Sequence, residues 1–369
     1  MFQLYITLGY FIPAIYLFLR IWQLFISKGY RFLYSLVFFA IASVAPLARY
    51  WRGGPDYIRE SLTMISGYLV PFILYLFLAV LLFDLFLLFN LAVRILPAST
   101  RKSYHFRLYT FLIMIFLSTA VVAGGAINLN TIRISRYQIE IPKKNSKLSH
   151  LRIAFVADLH IDQNLKLSFV EQYVRKVNAL KPDIVLYGGD IVEGRWDENV
   201  SAEMIKTMKT VKSKFGEYGI LGNHEYYGSE NPGQLYPKMD ISLLHEKVIQ
   251  VGQSFYLAGR DDDHADSRKP LDELLQHTPD DLPVIVMDHR PTELQEASRT
   301  KADIQFSGHT HNGQMFPINL FLKRMYDLSW GYKKIGNTHF FVTSGLRLWG
   351  PPVKTAGKSE IMVVDVVMR

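Results

Sequence analysis

No cysteine occurs among the 369 residues of this chain. That absence excludes disulfides, thiolate zinc sites and a cysteine nucleophile, so any metal must be held by His, Asp, Glu or Asn. It leaves the compartment open, because oxidising and reducing spaces both tolerate a cysteine-free chain. Charge is also sparse up to about residue 130, where Leu, Phe, Ile, Tyr and Val dominate; beyond it, Asp, Gly and charged residues reach the density of a soluble domain. The mean hydropathy of +0.10 averages these unlike halves and describes neither. A net charge of +8 would suit a nucleic-acid binder. Many of the Lys and Arg residues flank apolar runs, however, as positive charge does in membrane proteins, and no nucleic-acid partner is expected.

Residues 1–130 form an expected transmembrane helical domain in contact with membrane lipids. Four apolar stretches stand out, at 5–25, 32–47, 68–93 and 108–129. A helix needs about 20 apolar residues to cross the hydrocarbon core. The second stretch reaches that length only with Tyr30 and Tyr50, residues suited to an interface. A buried soluble bundle is disfavoured because these runs lack a polar face. Residues 1–5 carry no basic n-region and no small-residue cleavage pattern follows, so the first stretch is expected to remain as an anchor. Lys28 and Arg31 follow it, and Arg94, Arg101, Lys102 and Arg107 follow the third. The loop after the second has Arg49, Arg52 and Arg59, offset by Asp56 and Glu60. The positive-inside bias therefore predicts a multi-pass integral membrane protein with an extracytoplasmic catalytic domain, although Arg133 and Arg136 run against it. Two ionisable residues fall inside spans. Arg20 is expected to snorkel to the surface, and Asp84 either serves a function or bonds a neighbouring helix.

From residue 131 the pattern changes. Residues 131–150 read as a linker with a first strand, carried by Ile132, Ile134, Tyr137, Ile139 and Ile141. In 151–369, short β-rich runs at 152–157, 183–187, 218–221, 254–258, 284–287, 303–306, 339–343 and 360–366 alternate early on with amphipathic helices at 168–180 and 202–215. That order implies βαβ units followed by a more β-dominated half. Metal-type ligands sit just past five of the runs: Asp158 and His160, Asp190, Asn223 with His224, His289, and His309 with His311. Ligands in open α/β sheets gather beyond the carboxyl ends of strands, so five such ends can share one site. Each group alone is weak, since Gly-Gly-Asp is more often a turn. His-Thr-His is stronger, because imidazoles at i and i+2 of one extended segment can reach the same metal.

Carboxylates, imidazoles and an amide oxygen without sulfur suit Mn, Fe or Zn, and seven candidates suit two ions rather than one. Asp190 is the natural bridge, with two oxygens and a full charge to offset adjacent cations. Paired divalent ions clamp the attacking and leaving oxygens of a phosphoryl displacement and lower the pKa of water. No protein nucleophile is then required.

The motifs DLH (158–160), GGD (188–190), GNHE (222–225), the lone His289 and GHTHNGQ (308–314) together resemble the calcineurin-like metallophosphoesterase superfamily, in that family's order, over about residues 150–369. The resemblance implies a four-layer α/β fold, two packed β-sheets flanked by helices, and hydrolysis of phosphoesters or pyrophosphates. It implies one metal on Asp158, His160, Asp190 and His311, and another on Asp190, Asn223, His289 and His309. It also implies a non-ligand catalytic role for His224, contacting phosphate and protonating the leaving oxygen; the residues alone do not separate His224 from the ligands. GRDDD (259–263) and SGLRLWGPP (344–352) resemble the bacterial membrane-associated branch with YkuE-like and YaeI-like phosphoesterases, some members of which resemble hydrolases of UDP-diacylglucosamine. The chain departs from that branch in Ile161-Asp162 after DLH and in its four spans. The implied substrate is a phosphorylated small molecule or lipid. The alternatives are a general phosphodiesterase or protein phosphatase tethered for location, and a non-catalytic metal-binding sensor. Asp261, Asp262 and Asp263 read as a turn or supporting partners rather than a third metal site. Arg347 and Trp349 are candidates for holding substrate, although Trp349 with Pro351 and Pro352 could equally stiffen its loop.

Overall fold

The computed structural model describes every residue except Met1, Arg52, Gln163, Asn164, 195–199, Gly228 and Glu230, and for residues 2–6 only the backbone. The predicted loop residue Arg52 therefore lies outside the described residues. The chain divides into two units: residues 1–127 with 350–353, and residues 128–349 with 354–369.

Among the described residues four helical segments are long and apolar enough to cross a membrane: Thr7–Phe25, Lys28–Tyr50, Asp56–Val93 and Tyr104–Leu129. The second is broken at Ser43 into Arg31–Ala42 and Val44–Tyr50. Pro46 accounts for the break, because it has no N–H to give and its ring opposes the carbonyl of Ala42. The third begins at Asp56, twelve residues before the predicted span. Its first turns carry an Asp56–Arg59 ion pair, so the charges read as a loop in sequence are helical. Tyr10, Ala14 and Leu17 of the first helix pack with Ile73, Leu76 and Val80 of the third and with Met114 of the fourth. These spacings put each set on one helix face.

Asp84 is held by the first helix: Tyr16 donates to its Oδ2 at 2.6 Å, and Arg20 forms an ion pair with its Oδ1. Arg20 thus pairs across helices instead of snorkelling, and the interhelical alternative for Asp84 is the one found. Asp84→Leu should lower the unfolding temperature in detergent by leaving Arg20 uncompensated, a loss of about 2 kcal/mol for a pair that is still partly exposed. The double change of Arg20 and Asp84 to Leu should recover most of it.

The second unit contains two six-stranded sheets. The strands are β1 (Arg133–Ile141), β2 (His150–Val156), β3 (Ile184–Gly188), β4 (Glu217–Ile220), β5 (Ser242–Leu243), β6 (Lys247–Val251), β7 (Phe255–Arg260), β8 (Val284–Asp288), β9 (Ile304–Ser307), β10 (Gly331–Ile335), β11 (Thr338–Val342) and β12 (Glu360–Met368). Their orders are β1-β12-β2-β3-β4-β5 and β10-β11-β9-β8-β7-β6. Side chains alternate across each strand. In β2, Leu151, Ile153 and Phe155 enter the core between the sheets, while Ala154 and Val156 face the helices. Ile184 and Leu186 of β3, and Ile285 and Met287 of β8, face the same inner core. On the outer face of the first sheet lie Val170, Tyr173, Val174 and Val177 of the helix Leu167–Leu180. On that of the second lie Leu271 and Leu275 of the helix Leu271–Leu275 and Leu294 and Ala297 of Leu294–Ala297. Four layers result, as expected. Each fully buried Leu, Ile or Phe in them contributes about 1.5–3 kcal/mol.

The helix predicted at 202–215 ends at Met208. Asn178 takes over beyond it, donating to Thr210 O at 2.8 Å and accepting Lys212 N–H at 2.8 Å, which draws the chain off the helix axis. β5, β6, β10 and the helix Ile318–Met325 are elements beyond those expected.

Candidate metal centre

Within the first sheet β2, β3 and β4 run parallel, as do β7, β8 and β9 in the second. The ends of β2, β3, β4, β8 and β9 consequently deliver Asp158, Asp190, Asn223, His289 and His309 to one place. Turning sharply off a strand end requires unusual backbone: Asp158, His160, Asp190, His309 and His311 all have φ between 48° and 69°. Each non-glycine residue there costs of order 1–3 kcal/mol, a strain kept only when surrounding structure enforces it.

The enforcement is by hydrogen bonds and close packing. Asp158 N donates to Gly189 O at 3.0 Å and His160 N to Asp190 O at 3.0 Å, lacing two loops together. Glu225, fully buried, accepts from the backbone N–H of Asp190, Ile191, Val192 and Gly222 and from Tyr236 OH. Gly189 (φ 88°) and Gly222 admit no side chain: a Cβ would lie 2.6 Å from Gly222 N in the first and 2.2 Å from Asp190 Oδ1 in the second. The late loop closes the site, with Leu346 N on Ala157 O and Arg347 N on Asp158 O. Buried Lys354 supports that loop by donating to Gly345 O at 2.9 Å and Arg347 O at 3.1 Å, and burial lowers its pKa to about 7.

All seven predicted ligands come together. Asp158, His160 and His311 offer ligand atoms within 4.8 Å of one another, as do Asp190, His289 and His309. His160 Nε2 and His311 Nε2 face each other at 3.2 Å, and His311 Nε2 is 3.5 Å from Asp158 Oδ1. Asp190 Oδ2 lies between the trios, 3.2 Å from His289 Nε2 and 3.9 Å from His160 Nε2. Its Oδ1 is already occupied, accepting His224 N–H at 2.8 Å. Both oxygens of Asp190 thus face groups of the site, Oδ1 the backbone of His224 and Oδ2 the imidazoles of His289 and His160. Asn223 Oδ1 meets His309 Nδ1 at 2.8 Å, which places the amide in the second group.

Burial and neighbouring charge set the protonation of the site. Burial penalises ionisation of both carboxyls and raises Asp158, while the surrounding histidines outweigh that penalty at Asp190 and hold it well below the ordinary range. Burial pulls His289 down, yet Asp190 and Asp158 more than offset this and hold it at about 10. Burial lowers His309 to about 3 and holds His311 well below its ordinary value, with neighbouring His289 and His160 adding to it, so both present neutral imidazoles. Asp158 Oδ2 and His311 Nδ1 are buried without a hydrogen-bond partner. Anionic oxygen, neutral imidazole and an unpartnered buried acceptor together fit divalent cations.

His224 stands beside these groups. Its Nδ1 is 3.0 Å from Glu193 Oε2, and its ring packs edge-on at 4.6 Å from His160. Glu193 Oε1 also meets His160 Nδ1 at 2.7 Å. Although burial opposes its charge, these two histidines hold the Glu193 carboxyl at about 2. Sequence reasoning missed Glu193 and Lys354, and it gave Glu225, within the GNHE motif, no role of its own. Orientation of a ligating histidine by a carboxylate on its other nitrogen is worth about 10–100-fold in metal affinity or activity. Glu193→Gln should accordingly cost about 10–100-fold in turnover, with a shifted pH profile because His224 loses its charged partner. Pre-steady-state and pH-rate measurements on the purified chain would check it.

Trp349 lies beside His224, ring centroids 5.9 Å apart. The guanidinium of Arg347 lies 5.6 Å over the Phe169 ring. The Asp261–Asp263 run is a paired ionic network. Asp262 accepts from Arg290 Nε at 2.6 Å, Asp261 meets His245 at 2.7 Å, and Asp263 meets Arg268 at 2.8 Å. Asp262 and Asp263 are thus engaged by arginines and Asp261 by a histidine.

Residues 151–313 match the family model of the calcineurin-like phosphoesterases. An uncharacterized metallophosphoesterase of Helicobacter pylori strain J99 is 33% identical over 230 residues, covering 59% of this chain and 60% of that protein. A transmembrane protein with metallophosphoesterase domain from Danio rerio is 29% identical over 277 residues, covering 70% of this chain and 62% of that protein. UDP-2,3-diacylglucosamine pyrophosphatase LpxG of Chlamydia muridarum is 23% identical over 235 residues, covering 50% of this chain and 71% of that protein. The chain thus spans about three-fifths of the length of the first two. It carries a calcineurin-like metallophosphoesterase domain, and four apolar helices together with transmembrane relatives associate it with a membrane.

Proposed function

We propose that this protein is a membrane-tethered phosphoesterase with a dinuclear metal site, hydrolysing a phosphoester or pyrophosphate of an envelope lipid or lipid-linked substrate. The observation that carries it is Asp190 Oδ2 set between His289 of its own trio and His160 of the other, with His224 fixed beside them. Asp158, His160, Asp190 and His311 would hold one ion, and Asp190, Asn223, His289 and His309 the other; Mn, Fe or Zn suits this donor set. When bound, two such ions offset phosphate charge and lower the pKa of water.

The remaining chemistry belongs to the chain. His224, its Nδ1 held by Glu193, keeps its other nitrogen for a proton delivered to the leaving oxygen. Trp349 offers an aromatic wall beside it. The lipid preference is supported by the membrane helices, which confine the site near bilayer substrates, and by the likeness to the Chlamydia muridarum pyrophosphatase. The loop charges support an extracytoplasmic site.

Purified full-length protein with Mn, Zn or Mg should turn over a lipid-linked pyrophosphate faster than p-nitrophenyl esters or a nucleotide diphosphate sugar. Equal turnover of soluble and lipid substrates would favour a general phosphodiesterase tethered for location. A reporter fused to the C-terminus reads sidedness, and a cytoplasmic signal would refute the extracytoplasmic placement.

A further inference from the structure

An eight-residue helix, Ile318–Met325, leaves the fold shortly after the His309–His311 loop and buries none of its residues. Ile318, Phe321, Leu322 and Met325 fall at i, i+3, i+4 and i+7, an apolar stripe, while Asn319, Lys323 and Arg324 occupy the rest of the helix with one further leucine, Leu320. Phe321 is 62% exposed and Met325 74%, with exposed Phe316 just before the helix. None of these side chains joins a hydrophobic cluster among the described residues.

The excursion is firmly rooted at both ends. Gln314 O accepts the N–H of Thr355 and Ala356, Phe316 N donates to Thr355 Oγ1 at 3.0 Å, and Thr310 Oγ1 donates to Ser329 O at 2.6 Å. A well-anchored helix that turns Phe, Ile and Met outward is unfavourable in water by the apolar area it exposes.

We propose that the helix Ile318–Met325 is a lipid-docking element, its apolar stripe entering the headgroup–acyl boundary of an anionic bilayer while Lys323 and Arg324 meet lipid phosphates. Apolar residues on one side and basic residues on the other are the composition of interfacial helices. The chain supplies the bilayer: its last apolar helix ends at Leu129 and β1 begins at Arg133. Three intervening residues reach only about 10–14 Å, so the tether keeps lipid within range. Docking would set the loop bearing His309 and His311 at a lipid surface. The inference adds an interaction to the proposed function and is read without any activity measurement.

The cysteine-free chain permits single labels. Full-length Phe321→Cys, Met325→Cys and Lys323→Cys would each carry an environment-sensitive fluorophore in proteoliposomes of phosphatidylcholine with phosphatidylglycerol. The expected result is a blue shift and quenching by doxyl-labelled lipids at positions 321 and 325 but not at 323, weakening when Arg324→Glu is added. Equal water exposure at all three positions would overturn the proposal. So would a blue shift without doxyl quenching but with self-quenching that rises with protein density, which would assign the stripe to a second copy of this chain.

Discussion

Replacing Asp190 by Asn should lower turnover by about a thousand-fold or more while the fold persists. The side chain keeps its shape, and its carbonyl oxygen can still accept His224 N–H, the contact now made by Oδ1 at 2.8 Å. What is lost is negative charge on the atom between His289 Nε2 and His160 Nε2. A neutral amide can neither bridge two cations nor offset their repulsion. Their contribution to a phosphoryl transition state is several kcal/mol, and each 1.36 kcal/mol is a factor of ten. Three measurements belong together. Metal per chain, by mass spectrometry after gel filtration, should fall below that of the unaltered protein. The rise in melting temperature on adding Mn or Zn should shrink, since ligand stabilisation follows occupancy. Stripping the unaltered protein with a chelator should reproduce the loss, and adding metal back should reverse it only there. A variant retaining both metals and rate would refute the bridge.

Much of this site was legible because its logic is local. A short apolar run followed by Asp-x-His, Gly-Gly-Asp or Gly-Asn-His is a strand end with a ligand, and β2, β3, β4, β8 and β9 each show one. Alternation along Leu151–Val156 likewise reports a strand buried on both faces. The supporting groups were not legible, because their partners are remote. Glu193 bonds residues 33 and 31 positions away, from a loop with no periodicity. Lys354 reads as a surface lysine until its ammonium is found on the carbonyls of residues 345 and 347. Edge strands β6 and β10 escaped for another reason: polar residues fall on both faces, Lys247 and Gln250 in one and Lys333 and Lys334 in the other, and break the apolar signal. The third membrane helix was cut short because its first turns are charged. A 38-residue helix is about 57 Å long, well beyond a hydrocarbon core of about 30 Å, so polar turns at its end are permitted.

Glu225→Gln should be the most damaging stability change in the catalytic domain, although Glu225 hydrogen-bonds to no ligand side chain of either trio, only to the backbone beneath them. Its Oε2 accepts from Asp190 N at 2.9 Å and Gly222 N at 2.8 Å; its Oε1 accepts from Ile191 N at 2.6 Å, Val192 N at 3.1 Å and Tyr236 OH at 2.9 Å. Five donors converge on one buried carboxylate and pin the backbone that holds Asp190 in its strained turn. Glutamine fits the space but turns one acceptor into a donor, so at least two N–H groups face an NH2 with no water to take them. Leaving one buried donor unmade costs about 1–3 kcal/mol, so a total of about 3–5 kcal/mol is expected. For a domain of this size that is roughly a 10 °C fall in melting temperature. The deficit should appear with and without added metal, because the bonds belong to the loop itself. Asp190→Asn should behave the other way, losing stability chiefly where metal is present. Calorimetry of both variants with and without Mn separates the two proposed roles, Asp190 as a shared ligand and Glu225 as the support of its loop. A Glu225→Gln protein that melts normally without metal, yet binds metal poorly, would instead place Glu225 among the groups acting on the ions.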